Sequence, residues 1–169
     1  SWKTIWEFTF GGRDIPDDDL ELTRATYDAS LLELDDLFAS LLDALEDTGA
    51  LRNTIVVLTA DHGEHLGEQH MFDHQSTLHE AVLRVPLVLH WPGRIDPGRR
   101  SDPVMNFDVF PTLLELTGTA SAPTSARSLL EPDPERTRLA EETAPVSTGV
   151  QAMQSLHPGW DPTPWTRTH

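Results

Sequence analysis

The chain has 169 residues, enough for one domain with a real core, and a formal net charge of -16. That charge argues against nucleic acid and anionic membrane as partners, because phosphate binding takes clustered Lys and Arg. It leaves a cation or a small substrate as the expected partner. With no cysteine, the chain holds no disulfide, thiolate metal site or cysteine nucleophile. Its apolar runs, around Ile55 to Leu58 and Val85 to Leu89, are too short to span a bilayer. Ser1 is not an initiator methionine and no signal pattern follows it, so the chain is expected to begin within a longer product.

Trp2, Trp6, Phe8 and Phe10 precede Gly11-Gly12, and that aromatic density needs a partner surface. Pro16 and Asp17-Asp18-Asp19 mark a helix start, with acids at the positive end of the dipole. From Leu20 to Asp47 the apolar residues Tyr27, Leu31, Leu34, Phe38, Leu41 and Leu45 step by four and three, which predicts a helix packed on a sheet. Gly49 supplies its stop.

The stretch Thr54-Ile-Val-Val-Leu-Thr-Ala-Asp61-His62-Gly63-Glu64 reads as a buried strand that ends in an acid, an imidazole and a glycine. In open α/β sheets that strand end is where ligands bind. A bare Asp and Gly after a strand also make an ordinary turn or cap. What favours metal ligation is that carboxylate oxygen and neutral imidazole nitrogen are both good donors, with more candidates nearby. Residues 63 to 76 hold His65, His70, Asp73 and His74 in a polar loop. The spacing of His62, His65, His70 and His74 does not match structural zinc modules. His74 is the one given a further role, donating to an anionic substrate or protonating a leaving oxygen. His65 and His70 read as exposed loop residues, and His79 and His90 as packing or surface residues.

Thr77-Leu-His-Glu80 fits a capping box opening a short helix to Arg84, and a second strand runs from Val85 to Trp91 before Pro92-Gly93. Asp108 is placed to cap a helix through Leu116, with Pro111 in its first turn and Gly118 as terminator. Beyond Thr119, Pro, Ser and Thr dominate; the piece Arg138 to Glu142 fits strand or helix, and Trp160 and Trp165 sit in a Pro-rich tail. The expected division is 1–118 as the catalytic-type segment and 119–169 as an irregular covering or partly disordered segment.

The order Leu51-Arg-Asn53 through Asp61-His62-Gly63-Glu64, then Leu66-Gly67-Glu68, Leu78-His-Glu80, Arg84-Val-Pro86-Leu and Trp91-Pro-Gly93 resembles the later part of a sulfatase of the alkaline phosphatase superfamily. Phe107-Asp108-Val-Phe-Pro111 to Gly118 resembles the helix that follows there, and the likeness covers about residues 20 to 131. The resemblance implies an α/β fold: part of an alkaline-phosphatase-like mixed sheet with flanking helices, followed here by the irregular Pro-rich tail. It implies that Asp61 and His62 bind a divalent metal, calcium by the family's habit, with Mn or Zn left open by the imidazole. It also implies that His74 meets the sulfate and leaving oxygen of a small sulfated substrate.

The family's Cys/Ser-x-Pro-x-Arg motif, source of the formylglycine nucleophile, has no match. Ser121-Ala-Pro123-Thr-Ser125 ends in Ser and follows the metal pair instead of preceding it. The family's early Asp pair is absent too. The expectation is therefore a later portion of a catalytic domain, with the nucleophile on preceding sequence. Stripped of its first strands, such a sheet exposes sheet edges and apolar helix faces, so the isolated chain is expected to be inactive and poorly folded. A phosphodiester or phosphonate monoester hydrolase of the same superfamily is the alternative activity. A non-catalytic relic or binding module is the alternative class.

Overall fold

The computed structural model describes residues 1–120, 124–131, 133–141 and 146–163. Ser121, Pro123, Glu142 and Trp165, named above, lie outside them. The chain divides into two compact units, one of Ser1–Ala50, His62–Val85 and Glu141–His169, the other of Leu51–Asp61 and Pro86–Ala140.

In the first unit, helix α1 (Trp2–Thr9) carries Trp6 and Phe8, with Phe10 at its C-cap, and these three find the surface they need. Its partner is α5 (Val146–Leu156), a helix in the Pro-rich tail that the sequence did not announce. Phe10, Val150 and Met153 form a buried cluster, with Trp6 and Trp160 against it. Gly149 makes that approach possible, since a Cβ there would lie 2.3 Å from the Trp6 ring and 2.4 Å from Phe10. Trp160 donates its indole N–H to the Phe10 carbonyl at 3.0 Å, and His157 Nε2 meets Glu7 Oε1 at 2.8 Å. On its other side α1 sets Phe8 against Phe72 and stacks it on His70, with ring centroids 3.9 Å apart in the stack.

Helix α2 (Asp17–Asp47) follows the predicted span closely, with Asp17, Asp18 and Asp19 in its first turn. Gly49 takes φ +70 just beyond it, the left-handed conformation of a helix stop. None of its residues is buried. Leu31, Leu34 and Leu41 of the apolar stripe are 47% to 56% exposed, so the sheet expected beneath this face is not among the described residues. The helix is tied down instead at its start, where Arg24 Nε donates to the Leu66 carbonyl at 3.0 Å.

Residues 63 to 76, read as a loop, form a small antiparallel hairpin of β2 (His65–Leu66) and β3 (Phe72–Asp73). Gly67 opens its turn at φ +105. The following α3 is only Glu80–Leu83, and its capping box does not form, because His79 occupies the cap position without a side-chain hydrogen bond. The Thr77 hydroxyl turns inward and accepts the His79 N–H at 3.2 Å.

In the second unit, β1 (Val56–Thr59) pairs with β4 (Leu87–His90) in an antiparallel ladder that runs from Val56 opposite His90 to Thr59 opposite Leu87. Both strand pairings among the described residues are antiparallel. Helix α4 (Val109–Leu116) begins after a short 3-10 turn, and Gly118 closes it at φ +68. Asp108 stands at its N-cap but makes no forward cap. Its carboxylate turns back to accept the N–H groups of Met105 at 2.9 Å and Arg127 at 3.1 Å. Arg136 closes a two-pronged ion pair on the same group, with Nη2 at 2.8 Å from Oδ1. Among the described residues no helix is long and apolar enough to cross a membrane.

Candidate functional site

Asp61 lies two residues beyond the end of β1 and is exposed. The strand end before it is held in place by side chains: Thr59 donates its hydroxyl to the Pro86 carbonyl at 2.8 Å, and Asn106 Nδ2 donates to the Ala60 carbonyl at 2.7 Å. A largely β-branched strand thus delivers the acid beyond its carboxyl end, as the sequence predicted, but the strand is half-buried to exposed and not buried as expected.

His62, also exposed, opens the neighbouring unit, and its Nδ1 lies 2.9 Å from the Gly63 carbonyl oxygen. Gly63 is needed for close approach and not for an unusual φ. Its N–H donates to the Val82 carbonyl at 2.7 Å, and a Cβ would lie 2.0 Å from the Ala81 carbonyl oxygen. This contact presses the residues after His62 against the segment around α3.

The hairpin then brings the rest together. Its register sets His65 opposite Asp73, and Glu64 and His74 follow one residue beyond that last pair. Glu64 Oε2 lies 3.1 Å from His74 Nδ1 in hydrogen-bond geometry. Asp73 Oδ1 lies 3.0 Å from the same nitrogen, while it accepts the His74 backbone N–H at 2.7 Å. The His74 ring stacks on His62 with centroids 3.8 Å apart and planes 28° off parallel. Glu64, Asp73 and His74 each offer a ligand atom, all within 4.8 Å of one another. A small cavity of about 50 Å³ lies beside them, lined by Trp6, Phe10, Met71 and Phe72 among others, with Asp73 on its wall.

The structure therefore stacks two of the three predicted residues, His62 and His74, on each other. Asp61 is joined to them through the chain. His65 corrects the sequence reading: it is completely buried, with no hydrogen bond to either ring nitrogen among the described residues, and its edge meets the His79 ring at 5.2 Å. Burial lowers its pKa below the usual 6.5, and nearby His79 adds to that, against the opposing pull of Glu68 and Glu64. His70 is exposed as expected but stacks on Phe8. Glu64 and Asp73 were seen in sequence without a role. The signal that could have found them is Gly67 in a short polar segment between two alternating pairs, which marks a hairpin and sets its cross-strand partners.

The sulfatase family model matches residues 8–119. Arylsulfatase K of Xenopus laevis is 33% identical over 138 residues, covering 81% of this chain and 24% of that protein. Choline-sulfatase of Rhizobium meliloti is 35% identical over 105 residues, 62% of this chain and 20% of that one. Among solved structures, phosphonate monoester hydrolase SpPMH from Silicibacter pomeroyi superposes with TM-score 0.65 at 30% identity, covering 72% of this chain and 24% of that chain. The chain thus spans no more than 24% of the length of these relatives. Its helices and small antiparallel sheets match part of an alkaline-phosphatase-like fold, as the motifs implied. Since the family model runs unbroken through β1, the Asp-His-Gly turn, the hairpin and α4, the chain belongs to the sulfatase family.

Proposed function

We propose that this chain supplies metal ligands and a leaving-group histidine to a metal-dependent sulfuric ester hydrolase acting on a small sulfated substrate. The reading is carried by the stack of His74 on His62 at 3.8 Å, which sets the imidazole expected to meet the ester directly on an expected metal ligand. Asp61 and His62 fit a divalent cation by donor chemistry, one carboxylate and one imidazole on adjacent exposed residues at a strand end. When bound, such a cation serves as a Lewis acid that draws charge from a sulfate oxygen. His74, about a third exposed, is accessible to the anion, and its Nε2 makes no hydrogen bond among the described residues. A formylglycine nucleophile and the remaining metal acids would come from other parts of the full-length product.

A second reading, hydrolysis of phosphodiesters or phosphonate monoesters, is favoured by the imidazole in the donor set, which suits Mn or Zn better than calcium. The likeness to a phosphonate monoester hydrolase supports it as well. The test is made on the full-length product, comparing hydrolysis of 4-nitrophenyl sulfate and bis(4-nitrophenyl) phosphate. A faster sulfate ester is expected; preference for the phosphodiester refutes the sulfatase reading. Metal titration of Asp61→Ala is expected to show weakened binding, and unchanged binding removes Asp61 from the site. A third reading, a non-catalytic relic, is decided by the reading frame upstream of Ser1, where a Cys/Ser-x-Pro-x-Arg motif supports the enzyme.

A further inference from the structure

We propose that Glu64 is the positioning residue for His74, holding the proton on Nδ1 so that only Nε2 exchanges a proton with the substrate. The inference rests on the hydrolase reading above and adds a residue to it. Two carboxylates surround Nδ1, but they are not equivalent. Glu64 meets it in hydrogen-bond geometry at 3.1 Å. Asp73 is as near, at 3.0 Å, yet its Oδ1 is committed to the backbone N–H of His74 and makes only a charge contact with the ring. Asp73 also holds φ +74, so its carboxylate is aimed by a backbone conformation that non-glycine residues seldom adopt.

A neutral imidazole carries one N–H, and the partner of one nitrogen decides which nitrogen keeps it. A carboxylate accepts and does not donate, so facing Nδ1 it selects the Nδ1–H form in the neutral ring. The His62 stack fixes the ring plane. Glu64 and His74 each lie one residue beyond the His65–Asp73 pair, so the hairpin brings both to its open end, although they are not themselves paired in its ladder. In the proposed step, His74 enters as imidazolium. As the oxygen nucleophile of the full-length enzyme forms its bond to sulfur, the bridging S–O bond breaks, its electron pair goes to the leaving oxygen, and Nε2 gives that oxygen its proton. His74 is left as the neutral Nδ1–H form, still bonded to Glu64.

The three donor atoms could instead take a cation among themselves, in which case Nδ1 would be a ligand and carry no proton. The experiment separates the two. In the full-length enzyme, Glu64→Ala is expected to lower kcat on an alkyl sulfate about 10- to 100-fold, a part of the roughly 100- to 10,000-fold that a positioned general acid supplies. On 4-nitrophenyl sulfate, whose leaving oxygen needs little protonation, the expected loss is about threefold or less, because general-acid help matters least there. KM and metal content are expected to stay unchanged. Glu64→Gln, which keeps an acceptor oxygen for Nδ1–H, is expected to recover most of the alkyl sulfate rate. Equal losses on both substrates, a lowered metal content in Glu64→Ala, or no recovery in a folded Glu64→Gln each overturn the proposal. If His74→Ala slows the alkyl sulfate and Glu64→Ala does not, the positioning role falls and the hydrolase reading stands. If His74→Ala has no effect, both fall.

Discussion

Asp108 gives the strongest energetic prediction, because its carboxylate has four partners and no exposure to water. It accepts two backbone N–H groups and a two-pronged Arg136 guanidinium whose own side chain is only 8% exposed. Asp108→Ala would leave that guanidinium buried and unpaired, a loss of about 3 to 5 kcal/mol for a buried ion pair broken on one side. The Met105 and Arg127 N–H groups lose their acceptor as well, about 1 kcal/mol each, although these losses overlap. A net local destabilisation of about 4 kcal/mol is expected, equivalent to a roughly thousandfold larger open population. The assay is amide hydrogen exchange across residues 106–116, which reads this segment directly. Asp108→Leu combined with Arg136→Met should recover most of the loss, since replacing both partners leaves no buried charge. A loss in Asp108→Ala below about 1 kcal/mol, the range of an exposed ion pair, would refute the reasoning.

Two further outcomes follow from the site and its neighbours. Gly63→Ala would drive a Cβ to 2.0 Å from the Ala81 carbonyl, a backbone atom that cannot turn aside, whereas Gly98 has nothing within 4 Å. Urea unfolding is expected to show a loss of about 2 kcal/mol for Gly63→Ala and almost none for Gly98→Ala; equal effects would remove the close approach as the cause. His65 is kept neutral by burial, so the unfolded chain binds a proton below about pH 6.5 that the folded chain resists. Its contribution is therefore fully present above the ordinary pKa and falls as pH drops toward the lowered folded value. Urea midpoints at pH 7.5 and 5.5 should differ more in the parent than in His65→Phe, and identical pH slopes would dismiss His65 as the source.

The elements that were legible in sequence are those whose signals are local. The four-and-three stepping from Tyr27 to Leu45 announced α2, and short apolar runs ending at turn residues announced β1 and β4. What escaped were features set by contacts between distant positions. Helix α5 has Ser, Thr and Gly at its interior positions and no strong helical propensity. It is held by packing on α1, where Gly149 lets the aromatic rings approach, and no window around Val150 contains that information. The Thr77 capping pattern failed for a different, local reason: its hydroxyl accepts the His79 N–H two residues on, a turn that competes with the cap.

The site divides along the same line. Asp61, His62 and His74 could be named because adjacency at a strand end and the family's motif order are linear properties. Glu64 stood inside the quoted motif and still carried no role, because its meaning depends on the register of a hairpin only two residues deep on each side. Moving that register by one residue would turn Glu64 away from His74 and send the buried His65 to the opposite face. One pairing therefore sets both the imidazole aimed outward and the imidazole hidden beneath it. The Gly67 turn that fixes the pairing is as much a part of the candidate site as the residues that would touch a substrate.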